Sequence, residues 1–202
     1  SAFVATRTKS FNSVLSGSLI ENEILNNYDS VNTAITTITL EKRVNPNPIK
    51  SEYNIDFKNE LNHPHSGHLS VVSSNLIRYT DDDGNIFDGF FDDDGKGNLR
   101  IYYLTGGTRN YTNSTAGTVD YKTGSVNISS INITSISDVD GSAVTKIRIN
   151  VLPNANDIVA LRNQILEIDV SNSTVSCLHT ISFCSSALDA FSMFQYSHLV
   201  NI

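Results

Sequence analysis

A mainly β protein, α+β at most, is what this sequence predicts: an antiparallel β-meander or sandwich with short helices at its amino-terminal end. Two patterns carry that expectation. In Tyr53-Asn54-Ile55-Asp56-Phe57 and again in Ile147-Arg148-Ile149-Asn150-Val151, apolar and polar residues alternate with the period of a strand that has one buried face. Asp-Gly and Gly-Lys-Gly-Asn clusters, which tolerate the positive φ of tight turns, punctuate the middle of the chain. Composition agrees, since only 17% of the 202 residues are charged and Ser, Thr, Asn and Gly fill much of the remainder.

From the amino terminus, Phe11, Val14 and Leu15 stand at helical spacing with Gly17 as a stop, predicting a helix over 8–16. A second helical piece fits Leu19 to Leu25. The Ile- and Thr-rich run from Ala34 to Val44 reads as a strand closed by Pro46 and Pro48. Further strands are expected at Leu69 to Val72, Asn75 to Thr80, Ile86 to Phe91 and Leu99 to Leu104. Gly124 supplies a left-handed position, so Gly117 to Gly124 reads as a hairpin tip, with Thr118 to Tyr121 pairing with Ser125 to Ile128. Val126 and Ile128 lie on one phase, Ile131 and Ile133 on the other, which requires a bulge near Ser129 and Ser130 and one strand serving two faces. Pro153 ends the strand Ile147 to Val151; a turn and then a strand from Gln164 are expected after Asp157. The expected divisions are 1–50, a helical and strand segment continuous with the domain after it; 51–173, a β-rich domain; and 174–202, an atypical tail holding Cys177, Cys184 and the lone Met193. With Ser1 at its start, the chain reads as a piece of a longer polypeptide.

Residues 81–94 hold seven acids (Asp81, Asp82, Asp83, Asp88, Asp92, Asp93, Asp94) and no base, which accounts for the whole formal charge of -7; elsewhere 14 acids balance 14 bases. No basic stripe suits a nucleic acid. No apolar run is long enough for a membrane helix, and no signal peptide is visible.

Calcium is one reading of the acidic run, but counting back from Gly95 puts Phe90 in the first ligand position of an EF-hand loop, and counting from Gly84 puts Tyr79 there. The preferred reading is solvated hairpin turns whose charges guard strand edges. His63, His65 and His68 lie in a Pro- and Gly-containing loop with no cysteine to complete a zinc set, and read as an exposed or interface loop. Cys177 and Cys184, with His179 between them, lack paired C-x-x-C spacing and read as incidental thiols. No G-x-S-x-G elbow, P-loop or dinucleotide fingerprint is found. Asn110, Asn113, Asn127, Asn132 and Asn172 fit the glycosylation pattern, yet a Ser-, Thr- and Asn-rich chain produces such matches by chance. Neither a catalytic residue, a cofactor, a metal nor a small-molecule substrate is expected, and the chain does not read as an enzyme.

Asp29-Ser30-Val31 leading into Thr36 to Val44, then Tyr53 to Leu61, Asp92 to Arg100, Gly117 to Gly124 and above all Asn156-Asp157-Ile158-Val159-Ala160-Leu161-Arg162-Asn163-Gln164-Ile165-Leu166-Glu167-Ile168-Asp169 carry a resemblance across most of the chain. In that order they resemble the carboxy-terminal half of the baseplate wedge ring protein of T-even-like contractile-tailed phages, loosely related to baseplate J-like proteins. The resemblance implies a structural virion protein, assembled in the host cytoplasm, whose copies join one another as a homodimer or ring contact and meet neighbouring wedge proteins around the tail hub. It brings no active site. The family's amino-terminal half is missing here, and the segment after about Ser173 departs from its pattern, as a shifted reading frame would produce. The competing class is a carbohydrate- or receptor-binding β-module of a virion, favoured by Tyr, Asn and Asp in loops and weakened by the absence of Trp.

Overall fold

A computed structural model describes residues 14–29, 31–63, 70–138, 140–159, 167–180 and 191–201. It is mostly antiparallel β with one helix among the described residues, as expected. Two compact units are present: Ser1–Thr39 with Ala155–Ile202, and Leu40–Asn154.

In the first unit β1 (Val14–Ser16) pairs antiparallel with β11 (Asp157–Val159), Leu15 facing Ile158 with both side chains buried. Helix α1 (Gly17–Asn27) starts at the glycine that the sequence suggested as a stop. The reason is proximity: a Cβ on Gly17 would lie 3.0 Å from Asn156 Cβ, and the Gly17 N–H donates to Asn156 O at 2.8 Å. The expected helix over 8–16 is therefore corrected at Val14–Ser16, which is strand; its residues 8–13 lie outside the described residues. The helical piece at Leu19 to Leu25 is present. Glu21 Oε1 accepts the Thr36 N–H at 2.7 Å, which fastens the helix to β2 (Thr33–Val44), and Asn156 Nδ2 donates to Thr36 O at 2.9 Å. The turn expected at Asp157 is instead β11, while β12 (Glu167–Thr180) and β13 (Phe191–Asn201) form an antiparallel ribbon. The change of composition after Ser173 thus falls inside β12 and does not mark an element boundary.

The second unit holds the ladder of strands expected from the middle of the chain: β3 (Ser51–Asp56), β4 (Val72–Ser74), β5 (Leu76–Thr80), β6 (Ile86–Asp93), β7 (Asn98–Thr105), β8 (Thr108–Asp120), β9 (Ser125–Ser137) and β10 (Ile147–Val151). The strand expected at Leu69 to Val72 is corrected: Leu69 lies outside the described residues, Ser70 and Val71 are not in a strand, and β4 begins only at Val72. Consecutive strands β5 to β9 pair in sequence order, and β9 then pairs with β5, so five strands form a closed circuit. Such closure needs strands that bend from one sheet into the next. β9 does so at the expected place: Ser51 faces Ile131 but Tyr53 faces Ile128, leaving an extra residue in the Ser129–Ser130 stretch. Its first part pairs with β3 and β8, its second with β5. β6 bends at Gly89, where a Cβ would sit 2.6 Å from Ile101 Cγ2.

Alternate positions of these strands supply the core: Ile77, Phe91, Leu99, Ile101, Val126 and Ile128 are almost fully buried. A side sheet of β4, β10 and residues 40–44 of β2 extends from β6. Asn75 sits in the break between β4 and β5; its amide donates to Lys146 O and accepts from Arg148 N–H, replacing the backbone bonds that the break removes. After β3 the chain folds over the β8–β9 turn, with Phe57 N–H donating to Gly124 O at 2.9 Å and Leu61 N–H to Tyr121 O at 2.7 Å.

Candidate interaction site

The acidic run separates into two kinds of carboxylate. Asp81 and Asp94 close turns of one design. Asp81 Oδ1 accepts the N–H of Asp83 and of Asn85, and its Oδ2 accepts from Asn85 Nδ2; Asp94 does the same for Lys96, Asn98 and the Asn98 amide. Hydrogen bonds from the Asn partner lower the carboxyl pKa of Asp81, and at Asp94 they outweigh the opposing effect of burial. Asp82 pairs on the surface with Lys50, and Asp88 takes both Nε and Nη2 of Arg78 at 2.7 Å. These four match the expectation of solvated turns and guarded edges.

Asp92 and Asp93 do not. Each is 1% exposed, on opposite faces of β6. Asp92 Oδ1 accepts from Arg100 Nε at 2.9 Å, and its Oδ2 from Arg109 Nη1 at 2.7 Å and Tyr111 Oη at 3.0 Å. Asp93 accepts from Val72 N–H and Gly95 N–H and from Tyr121 Oη at 2.7 Å. Both are structural acids because donors from β7, β8, β4 and the β6–β7 and β8–β9 turns replace the water that burial removes. The sequence signal that could have found Asp92 is the pair Arg100 and Arg109, two cations within the next two strands; Asp93, held by backbone N–H groups and Tyr121, has no such signal.

Around Asp92 the outer face of β6, β7 and β8 is an interleaved stack. The Arg100 guanidinium lies 4.1 Å over the Tyr111 ring, that of Arg109 lies 4.5 Å over Tyr102, and Tyr102 also packs on Phe90 and Tyr111. Burial works against the Arg109 charge, yet Tyr102 and Asp92 hold its pKa above the ordinary value; burial, reinforced by Asp92, raises the Tyr111 phenol. Burial and the Asp93 acceptor push Tyr121 far above its ordinary range.

Beyond this anchor the β7–β8 ribbon projects, and it runs further than the strand expected over Leu99 to Leu104. Thr105 faces Thr108 across Gly106 and Gly107, whose φ of 56° and 82° suit a two-residue type I′ loop. Tyr103, Leu104 and Tyr111 are exposed, Leu104 to 54%. Sequon residues Asn110 and Asn113 lie on this ribbon, and Asn127 and Asn132 on β9.

His63 stacks on Tyr121 with ring centroids 4.5 Å apart, and its Nε2 lies 3.1 Å from Gly95 O. His65, His68 and Cys184 lie outside the described residues; Cys177 and His179 are on β12, as is Asn172. Among the described residues no group of three or more His, Cys, Asp or Glu is arranged to hold a metal ion, and no helix is long and apolar enough to cross a membrane.

Stability should depend on pH at both extremes. Below about pH 3.9 the unfolded carboxylates take up protons while folded Asp81 and Asp94 stay ionised, so stability falls as pH falls. Above about pH 10 the unfolded tyrosines lose protons that folded Tyr121 and Tyr111 keep, so stability falls as pH rises. Thermal unfolding followed across pH should show a plateau between these limbs, and Tyr121→Phe should flatten the alkaline one. An alkaline limb of unchanged steepness in that variant would rule out the role given to Tyr121.

Comparison of the chain with protein-family models, curated protein sequences and solved structures finds no match.

Proposed function

We propose that this chain is a structural piece of a phage-tail baseplate wedge, which associates with itself and with neighbouring wedge subunits to build the ring around the tail hub. On this reading it is a virion component assembled in the host cytoplasm, and it works by presenting surfaces to other chains. The observation that carries it is the projecting β7–β8 ribbon. Exposed tyrosines and a leucine extend from a strand pair whose base is fixed by the Asp92 network. A two-stranded ribbon is marginal by itself, and Tyr and Arg are the residues that dominate protein interfaces. The sequence resemblance supplies the assembly in which such a ribbon would serve.

A glycan-reading module needs open aromatic platforms, and here a guanidinium lies over the rings of Tyr102 and Tyr111. The test is molar mass in solution, by size exclusion with light scattering over a hundredfold range of concentration. A dimer or larger closed assembly is expected. A monomer at every concentration would overturn the self-associating role.

A further inference from the structure

β8 pairs with β7 throughout the ribbon, and β9 joins its other side only at Gly117 to Asp120. Residues 108–116 of β8 therefore have one edge that no described strand covers. The matching edge of β7 is short, because β6 already pairs with Tyr102, leaving only Tyr103 to Thr105. An uncovered edge is a row of backbone donors and acceptors, which proteins ordinarily protect with charge, proline or bulges. From Leu104 to Ala116 there is no proline and a single charged residue, Arg109. A shift in register follows Tyr111, so the regular part of the edge is centred on Asn110.

Register fixes which groups face outward. In a two-residue hairpin the closing pair, here Thr105 and Thr108, exchanges hydrogen bonds, as does the pair two residues on, Tyr103 and Asn110. The N–H and C=O of Arg109 and Tyr111 then point to the uncovered edge. Two outward residues flanking one inward residue form a self-complementary set. Placed antiparallel to itself about a two-fold axis at Asn110, the segment sets Arg109 opposite Tyr111 of the second copy and Tyr111 opposite its Arg109. Each pair exchanges two backbone hydrogen bonds, so four form in all. This is the reciprocal contact that two-fold symmetry demands.

Charge favours the same occupant. The chain carries -7, and the turns β5–β6, β6–β7 and β8–β9 are each closed by an aspartate: Asp81, Asp94 and Asp120. Two copies meeting at those turns would bring acid against acid. The β7–β8 tip has no acid, so two copies meeting there bring no carboxylates together.

We infer that β8 pairs antiparallel with β8 of a second copy about an axis at Asn110, joining the two ribbons into one four-stranded sheet. The inference rests on the self-association proposed above and names its contact.

Asn110 occupies the central pair, which is not hydrogen-bonded across the seam and so has close Cα atoms, within the range a disulfide spans. The experiment uses the full chain with Cys177→Ser and Cys184→Ser as background. Asn110→Cys, oxidised with diamide, which takes up the two hydrogens of the thiol pair, should give a covalent dimer in nearly all molecules. Thr105→Cys, on the far strand, should not. In parallel, Asn110→Lys places like charges across the axis and should weaken the dimer by about tenfold or more by light scattering, with an unchanged far-ultraviolet circular dichroism spectrum showing that the fold persists. A parent dimer in which Asn110→Cys cross-links no better than Thr105→Cys, or which Asn110→Lys leaves intact, would overturn the inference and leave self-association standing. A parent chain that is monomeric throughout would overturn both.

Discussion

Replacing Asp92 by alanine is expected to lower the unfolding free energy by about 3–5 kcal/mol, the cost of removing one partner from a buried ion pair. The carboxylate is 1% exposed and carries three donors, two of them guanidinium groups. Without it, Arg100 and Arg109 lose the carboxylate that both donate to, and the Tyr111 hydroxyl loses its acceptor. Asp82→Ala, ten residues earlier in the same acidic run, is expected to change stability by no more than about 0.5 kcal/mol, because its carboxylate stands in water beside Lys50. Urea denaturation of the two variants measures both. Equal effects would show that the run is uniform after all. The loss at Asp92 should also be felt first in the ribbon, read as amide exchange that accelerates more at Thr108 and Asn110, whose N–H groups bond across to β7, than in β9.

A second large effect is expected at Gly124. Its φ is 74°, and a Cβ there would lie 2.0 Å from Asn59 O and 3.2 Å from Asn59 N. Gly124→Ala therefore adds left-handed strain of about 1–2 kcal/mol and also forces the Asn59 backbone away. That displacement breaks the bonds from Phe57 N–H to Gly124 O and from Leu61 N–H to Tyr121 O. The total should reach at least about 3 kcal/mol, counting about 1 kcal/mol or more for each lost bond. Gly106→Ala is the contrast, since its φ of 56° is also left-handed but nothing lies within 4 Å of the added carbon. It should cost only the strain, about 1–2 kcal/mol. If the two variants unfolded at the same denaturant concentration, the close approach of Asn59 would have no energetic weight.

Much of the second unit is legible in the sequence because its strands alternate cleanly. The hairpin register Thr118–Asn127 and Val119–Val126 follows from Gly124, and the irregularity at Ser129–Ser130 follows from the phase change between Ile128 and Ile131. The β7–β8 ribbon is not legible in the same way. Thr108 to Ser114 offers no apolar alternation, since neither face of the ribbon enters a core, and only Gly106-Gly107 marks the turn. Burial of Asp92 and Asp93 is hidden for a related reason. Four acids within the seven residues 88–94 look like a water-facing turn until strands from elsewhere in the chain bring their donors, and pairing of that kind leaves no periodic trace. At the other end, Gly17 has the look of a helix terminator but is the point where α1 passes close to Asn156, a contact between residues far apart in sequence.

The circuit of β5 to β9 also sets an order of events. Its hairpins β5–β6, β6–β7, β7–β8 and β8–β9 are local and can each form as soon as their own residues are free to meet. The seam between β9 and β5 joins Leu76 to Ser137 and requires everything between them to be in place. During synthesis, then, β5 leaves the ribosome well before its second partner does. Until Ser137 emerges, the nascent chain carries an open sheet with an unmet strand at its side, and that interval is when this protein is most exposed to pairing with the wrong neighbour.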